Sequence, residues 1–439
     1  MKKTLGFIAA ALLVSAPAMA ADAPTYNCDY QPSCEVAPGI YGAMASPATS
    51  KFNLSVGGYV KLDYAYNSTN LGGAGANFLL PNGPIPKTTS IAGREDQSIL
   101  TARQSRFWLK VAGPTFLGAK TNALIEADFF GPGSTSNENG LLRMRHAYGS
   151  LDWANTQVLF GQTQDIFGPM LANTIDFRQG AATGNPNNPR VAQLRLTQKV
   201  NFNANNSLKL VVGVQNPTQD NDNLVGDTTD TYGSVVNAAA QVMFVSKALG
   251  TAPGFYGMAM NNLTAGVFGL VGSEKVGVAP TTNRAVDSYG YGVYAFVPVL
   301  KSSDGKSRAM TMSFETQAYM AANMLFNSAT GSATVGATPD KTGAKGYGIA
   351  GQVIFYPTQD LGITAGWQRR NAYDYANYTA ANFEKFNELI YGNVAYDLNA
   401  AVRVATEFEH QKTVYGNNTP GQSDLGQDNT IRLAAYYFF

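Results

Sequence analysis

Residues 431–439 read IRLAAYYFF, and this stretch decides the fold class. The side chains of a β-strand point alternately to its two faces. Counted back from Phe439, one face is apolar and Arg432 lies on the other; the apolar face comprises Phe439, Tyr437, Ala435, Leu433 and Ile431. An apolar face that ends in aromatic rings is typical of a strand whose outer face meets lipid. The alternative is an ordinary edge strand.

A second stretch shows the same alternation over a greater length. Between residues 51 and 67 the even positions are mostly apolar, and they are Phe52, Leu54, Val56, Gly58, Val60, Leu62, Tyr64 and Tyr66. Strict alternation over this length exceeds that of a normal globular strand. It indicates a tilted strand that crosses a membrane and continues beyond the bilayer edge.

Similar segments recur, and sixteen strands are predicted. They lie at 51–67, 98–112, 119–130, 141–153, 156–164, 191–202, 207–215, 235–247, 262–273, 286–298, 308–322, 346–356, 361–370, 385–396, 400–411 and 429–439. The links alternate between short and long, although those near 248–261 and 299–307 are intermediate. A soluble sandwich or propeller gives no reason for this asymmetry. The predicted fold is all-β, a transmembrane antiparallel up-and-down β-barrel of about 16 strands with short periplasmic turns and long extracellular loops, wide enough for an aqueous channel.

The beginning of the chain is predicted to be a signal peptide. Lys2 and Lys3 precede a short apolar run, and residues 18–20 form a cleavage site of the A-x-A type. Residues 1–20 are therefore expected to be removed on export. Without the two lysines, 29 basic residues stand against 30 acidic ones, so the charge balance gives no indication of nucleic-acid binding.

Residues 21–50 are rich in Pro, Ala and Ser and are predicted to be a periplasmic extension. The sequence has two cysteines, Cys28 and Cys34, and both lie in it. We expect a disulfide between them, because the compartment after export is oxidising. A metal site is not expected, since two thiols at this spacing lack partner ligands. The transmembrane barrel is expected to comprise residues 51–439.

Side chains opposite the apolar face are predicted to line the interior of the barrel. Ten are basic, namely Lys61, Arg106, Lys110, Arg143, Arg145, Arg195, Lys199, Arg370, Arg403 and Arg432. Five are acidic, namely Asp63, Glu126, Asp128, Glu407 and Glu409. The pattern around Arg143 and Arg145 is ambiguous, and both are placed inside because an arginine that faces lipid costs about 2–4 kcal/mol.

This excess of basic side chains bears on ion selectivity. A low-dielectric channel lined with one sign of charge concentrates the opposite ion. A weak preference for anionic solutes is therefore predicted. The alternative is that the charges only hydrate the interior.

Three stretches resemble Gram-negative outer-membrane porins. The last strand is similar to the C-terminal insertion signature of bacterial outer-membrane β-barrels. Residues 143–151 and 158–162 resemble the hairpin that precedes the porin constriction loop, and residues 104–107, QSRF, resemble DcaP-like trimeric porins. The resemblance implies a homotrimer in the lipid of a Gram-negative outer membrane. It also implies a water-filled channel for passive diffusion of small hydrophilic solutes.

The resemblance further implies that loop 165–190 folds into the channel and narrows it. This loop contains Asp165, Asp176 and Arg178. Its two carboxylates would then face basic side chains of the wall, such as Arg106, Arg143 and Arg145. The alternative is an ordinary surface loop.

The two histidines, His146 and His410, bear on the alternative of an outer-membrane hydrolase. Both are expected at outward or strand-end positions, His146 at a subunit interface, and neither has a nucleophile and an acid close by in sequence. No enzymatic activity is therefore expected, although a scattered triad leaves no local motif.

Two further alternatives concern partners and metals. The barrel could form a sleeve for a periplasmic partner such as a cytochrome, but the sequence lacks the Cys-x-x-Cys-His motif of covalent haem, and no cofactor is predicted. The acidic run that begins at Asp220 departs from the EF-hand pattern. We expect a solvated loop there and no metal.

Overall fold

The computed structural model describes residues 42–44, 52–71, 84–131, 138–176, 190–216, 233–257, 259–279, 282–322, 345–373, 384–416 and 420–439. The strands are β1 (Gly42–Met44), β2 (Asn53–Asn67), β3 (Gln97–Thr101), β4 (Arg106–Ala112), β5 (Lys120–Asp128), β6 (Arg143–Asp152), β7 (Thr156–Gln164), β8 (Arg190–Asn201), β9 (Asn206–Gln215), β10 (Gly233–Pro253), β11 (Met260–Ala279), β12 (Thr282–Leu300), β13 (Thr311–Ala322), β14 (Lys345–Tyr356), β15 (Leu361–Tyr373), β16 (Glu384–Asp397), β17 (Val402–Tyr415) and β18 (Leu425–Phe438). Short 3-10 turns lie at Ala92–Arg94 and Phe255–Gly257. Among the described residues, no helix is long and apolar enough to cross a membrane.

The strands form one closed antiparallel barrel. From β4 onwards each strand pairs with the next along the chain, and β18 pairs with β2 to close the sheet. Both β3 and β4 pair with β2, so together they form one wall strand. With β1 left outside the wall, the barrel has sixteen strands. The predicted all-β, up-and-down barrel is confirmed.

The closing seam involves the stretch from which the fold was predicted. Ile431 lies opposite Tyr66, and Tyr437 lies opposite Val60. At the end of the seam Gly58 and Phe439 exchange two backbone hydrogen bonds, of 3.0 and 3.1 Å. The apolar last strand therefore completes the barrel wall.

Burial along the strands follows the alternation of the sequence. On β2, Val60 is 55% exposed and Leu62 is 48% exposed, whereas Lys61 between them is 0% exposed. The same contrast recurs on β18, where Tyr437 is exposed and Arg432 is buried. The apolar side chains thus cover the outside of the barrel, and the charged side chains point inward.

Predicted and observed strands differ most at the segment predicted as 98–112. A turn, closed by a 2.9 Å hydrogen bond from the Ser105 N–H to the Ala102 carbonyl, separates β3 from β4. The Ser105 hydroxyl contacts both the N–H and the carbonyl of Lys61, at 3.0 and 3.3 Å. A side chain therefore satisfies backbone groups of β2 that the sheet would otherwise pair.

The strands from β10 to β12 are longer than predicted. A register shift between Ser246 and Thr251 lets β10 continue to Pro253. The link near residues 248–261, whose predicted length was intermediate, is therefore short and comprises residues 254–259. On the opposite side, only residues 280–281 separate β11 from β12.

The predicted N-terminal segments lie almost entirely outside the described residues, as do Cys28 and Cys34. The signal peptide, the extension and the disulfide remain predictions. Within residues 21–50 the structure describes β1, which pairs with β2 so that Gly42 lies opposite Val56.

Candidate functional site

The inside of the barrel contains residues 165–176, which follow β7 and which we call the inner segment. Its first part is held by apolar contacts. Ile166 and Phe167 belong to a buried cluster with side chains of β9, β10, β11 and β13. The ring of Phe167 meets that of Phe268 edge-on, with centroids 4.9 Å apart. The inner segment therefore packs against the inner face of the wall.

Asp165 fixes the start of the inner segment. Its Oδ1 accepts a hydrogen bond from the Phe167 N–H at 2.8 Å and another from Gln215 Nε2 at 2.7 Å. Burial raises the pKa of the Asp165 carboxyl to about 6, and these hydrogen bonds oppose the rise because they favour the ionised form. Asp165 thus serves as a local anchor to its own segment and to β9.

Neutral amides hold the middle of the inner segment. Asn173 Nδ2 donates to Thr364 Oγ1 at 2.6 Å, and its N–H donates to Gln352 Oε1 at 2.8 Å. Its carbonyl accepts a 2.6 Å hydrogen bond from Asn393 Nδ2. On the short-turn side, the Tyr256 N–H donates to Asn173 Oδ1 at 2.9 Å. One residue thus joins the inner segment to β14, β15, β16 and the turn after β10.

The far end of the inner segment is bound to β2 and to the turn between β3 and β4. Lys61 Nζ donates to the Ile175 carbonyl at 2.7 Å and forms an ion pair with Asp63 at the same distance. Gln104 Nε2 donates to the Asp176 carbonyl at 2.5 Å. The QSRF stretch therefore has a structural role, because its Gln holds the inner segment and its Ser replaces a sheet contact.

Three buried carboxylates, those of Asp176, Glu407 and Glu409, meet at this end with oxygens within 4.8 Å of one another. The Arg432 guanidinium lies 3.9, 3.7 and 3.2 Å from them, respectively. Glu407 also accepts a 2.9 Å hydrogen bond from the Ile175 N–H. Because the cation offsets the repulsion among the three carboxylates, we assign the group to anchoring the inner segment.

A ladder of ion pairs covers the wall formed by β4, β5 and β6. Arg143 binds Asp128 through two hydrogen bonds of 2.9 and 2.6 Å. Arg145 lies 2.7 Å from Glu126 and 3.1 Å from Asp128, and Arg106 lies 3.4 Å from Glu126. Each of these arginines therefore has a partner on an adjacent strand.

The described ion pairs differ from the arrangement predicted for the loop carboxylates. Asp165 accepts hydrogen bonds from its own segment and from Gln215. The described ion pair of Asp176 is the one with Arg432. The wall arginines pair with Glu126 and Asp128 instead, because the sheet register places these carboxylates on the next strand. Arg178, the third predicted loop residue, lies outside the described residues.

A β-bulge explains why the strand around residue 145 was ambiguous in sequence. The register with β5 shifts between Glu126 and Ala127, so that His146 and Met144 lie opposite them and Arg145 is the extra residue. Arg145 and His146 are both buried. The prediction of His146 at a subunit interface is therefore wrong, since its side chain is 0% exposed and points into the barrel.

The surroundings of His146 also bear on the hydrolase alternative. Its Nδ1 lies 3.0 Å from Thr163 Oγ1, and its Nε2 lies 4.0 Å from Glu126. All three side chains are 0% exposed. No substrate can reach a hydroxyl in this position, so this arrangement is not an active site.

The remaining predicted bases lie elsewhere around the interior. Arg370 pairs with Glu384 at 3.3 Å, and Arg403 pairs with Asp397 at 2.5 Å. Lys110 lies over the Trp108 ring, 4.7 Å from its centroid. Arg195 and Lys199 project from the inward face of β8, between the exposed side chains of that strand.

Several inward-facing charged residues were missed in the sequence. They are Arg103, Lys209, Arg308, Glu315, Glu384, Asp397 and Asp428. Strict alternation within the predicted strands would have found Lys209 and Glu315, whereas Asp428 precedes the predicted start of the last strand at residue 429. Arg103 and Arg308 lie in turns, where alternation gives no signal. The excess of basic over acidic side chains in the interior is therefore smaller than predicted. For ion selectivity, the distribution of these charges matters more than their number.

The structure is similar to solved outer-membrane channels. The outer-membrane channel DcaP of Acinetobacter baumannii matches with a TM-score of 0.65 and 21% identity, over 91% of this chain and 100% of that one. The anion-selective porin from Comamonas acidovorans matches with a TM-score of 0.55 and 12% identity, over 88% and 100%. OmpT of Vibrio cholerae, in its trimer form, matches with a TM-score of 0.51 and 12% identity, over 89% and 100%.

These comparisons define the fold class of the chain. No protein-family model and no curated protein matches it. The chain has the fold of outer-membrane channels, and the predicted likeness to DcaP-like porins is confirmed at the level of the fold.

Proposed function

We propose that this protein is an outer-membrane porin, a water-filled channel for the passive diffusion of small hydrophilic solutes. The observation that carries the proposal is the closed barrel with exposed apolar side chains outside and buried charged side chains inside. Only lipid makes such an outer surface stable, and a barrel of this size leaves a passage through its centre.

The contacts of the inner segment indicate where the passage runs. The segment contacts the wall from β9 through β17 and reaches β2. The opposite wall, from β4 to β8, carries the ion-pair ladder and Arg195. We infer that solutes pass between the inner segment and this wall, and that the inner segment forms the constriction.

The proposed weak preference for anions rests on the distribution of charge. The acidic groups of the ladder and of the Arg432 cluster are engaged in ion pairs. Arg195, by contrast, has a buried Nε without a hydrogen-bond partner among the described residues, and Lys199 follows it on the same face of β8. A solute in the passage therefore meets more uncompensated positive than negative charge. The similarity to a porin described as anion-selective agrees with this.

Location and assembly complete the proposal. We propose that the chain is exported by its signal peptide, inserted into the outer membrane of a Gram-negative bacterium, and assembled as a homotrimer. The support is the exposed apolar belt and the fold shared with outer-membrane channels, one of which is described in a trimer form.

Planar-bilayer recording of the purified full chain tests the function. We expect stepwise conductance increments that scale with bulk salt conductivity. In a salt gradient, the sign of the reversal potential should show that anions are more permeant than cations. Absence of any conductance from correctly folded protein would refute the channel. Cation selectivity would refute the anion preference alone.

A further inference from the structure

A cavity lies at the short-turn end of the interior, beneath the inner segment. Its volume is about 240 Å³, and its lining runs from β8 to β12. Pro169 of the inner segment borders it on one side, and the turn at residues 202–205 borders it on the other. The cavity adjoins β8, which also belongs to the wall that borders the proposed passage, so a solute that has passed the inner segment can reach the cavity before it leaves the barrel.

Three lysines line the cavity, and none of its described lining residues is acidic. Lys199 and Lys209 lie directly opposite each other on β8 and β9, and Lys247 lies at the same end of β10. Like charges opposite each other in a sheet repel. An anion between them would remove this repulsion, and a doubly charged one would do so most effectively.

The rest of the lining can recognise hydroxyl groups. Six asparagines contribute to it, and an amide carries both donors and acceptors. Two of them already use one group each, because Asn201 Nδ2 donates to Asn155 Oδ1 and Asn203 Oδ1 accepts from backbone N–H groups of its own turn. Asn206 is held in place, because its Oδ1 accepts a 2.7 Å hydrogen bond from the Ser246 hydroxyl.

Tyr294 borders the cavity with a half-buried ring, whereas Phe296, which also contributes to the lining, is only 1% exposed. An inorganic anion can accept hydrogen bonds from the amide N–H groups, but it uses neither the amide carbonyl oxygens nor the Tyr294 ring.

We propose that this cavity is a binding site for phosphorylated monosaccharides. The lysines would bind the phosphate as compact point charges, the asparagines would bind the sugar hydroxyls, and the Tyr294 ring would pack against the apolar face of the sugar. The cavity is smaller than the roughly 300–1,000 Å³ of pockets for drug-sized ligands, which fits a single sugar ring. The proposal deepens the proposed function and rests on it.

The test is isothermal titration calorimetry of the full chain in detergent micelles, with glucose 6-phosphate, glucose and inorganic phosphate as separate ligands. We expect glucose 6-phosphate to bind roughly tenfold or more tightly than either of the others, because each of these lacks half of the contacts. If inorganic phosphate bound as tightly as glucose 6-phosphate, the role of the amides would be refuted. If glucose bound as tightly as glucose 6-phosphate, the role of the lysines would be refuted. If none of the three ligands bound, the site itself would be refuted.

Variants separate the two halves of the site. The triple variant K199Q/K209Q/K247Q should reduce the affinity for glucose 6-phosphate to that for glucose. The matched control is K306Q, which removes one exposed lysine from the turn at residues 301–310 and should leave binding unchanged. If the triple variant does not fold, N262L should weaken the binding of glucose 6-phosphate without affecting that of phosphate. Unchanged binding in a folded variant would refute the site.

Bilayer recording distinguishes failure of the site from failure of the channel. Anion-selective conductance without block by glucose 6-phosphate would refute the site and leave the proposed function intact. Calorimetric binding by a chain that forms no channel would refute the proposed function and leave the site intact.

Discussion

The hydrogen bonds of Asn173 allow a quantitative prediction for the substitution N173A. The side chain forms two buried hydrogen bonds, with Thr364 Oγ1 and with the N–H of Tyr256. Each contributes about 1 kcal/mol, and the Tyr256 N–H left without a partner adds about another 1 kcal/mol. The substitution should therefore destabilise the docked inner segment by about 3 kcal/mol, which is roughly a hundredfold in the ratio of docked to undocked forms.

Single-channel recording is the assay for this prediction. We expect N173A to show frequent transitions to a larger conductance, because an undocked inner segment leaves more of the lumen open. The matched control is N399A, since Asn399 Oδ1 also accepts two hydrogen bonds, from the N–H groups of Ala401 and Val402. These bonds lie in a turn far from the inner segment, so the conductance should not change. Wild-type conductance in folded N173A would show that its hydrogen bonds do not hold the segment.

Three further substitutions test the electrostatics. R432Q removes the guanidinium that three buried carboxylates share and should lower the free energy of unfolding in urea by about 3–5 kcal/mol, whereas a change below about 1 kcal/mol would refute the anchor. R195E should shift the reversal potential towards cations, and R369E, at a partly exposed ion pair on β15, should shift it much less; equal shifts would contradict the assignment of Arg195 to the passage. Because the pKa of Asp165 is raised, its contribution to stability is present at low pH and lost as the pH rises through about 6. D165N should therefore stabilise the protein at pH 8 by about 2–3 kcal/mol in urea unfolding and have little effect near pH 4, and the opposite pH dependence would refute this.

Most of the wall could be predicted from the sequence because lipid and water impose a strict alternation on each strand. Every second side chain of a strand faces lipid and must be apolar, so the charged residues Lys61 and Arg432 can only face the interior. Several strand ends followed from the same rule, with β7 at residues 156–164 as an example. Such signals are local and need no knowledge of neighbouring strands.

The deviations depend on contacts between strands and leave no local signal. The bulge at Arg145 exists only relative to β5, and it turns His146 inward against the parity of its own strand. The break between β3 and β4 depends on the contact of Ser105 with Lys61. In both places the sheet determines the direction of the side chain.

The neutral anchors in the middle of the inner segment were also beyond prediction. Gln352, Thr364 and Asn393 are neutral and common residue types, and they lie about two hundred positions along the chain from Asn173. A charged residue in a membrane strand draws attention because it is expensive there. An amide does not, although here the amides hold the middle of the segment.

The uncharged nature of these contacts has a consequence if the protein lies in an outer membrane, as proposed. Mobile ions weaken attraction between charges, but they have little influence on hydrogen bonds between buried amides. The part of the inner segment around Asn173 should therefore keep its position at both low and high ionic strength. Beside Asn173 we expect the bore of the passage to be insensitive to salinity, even where the selectivity of the passage is not.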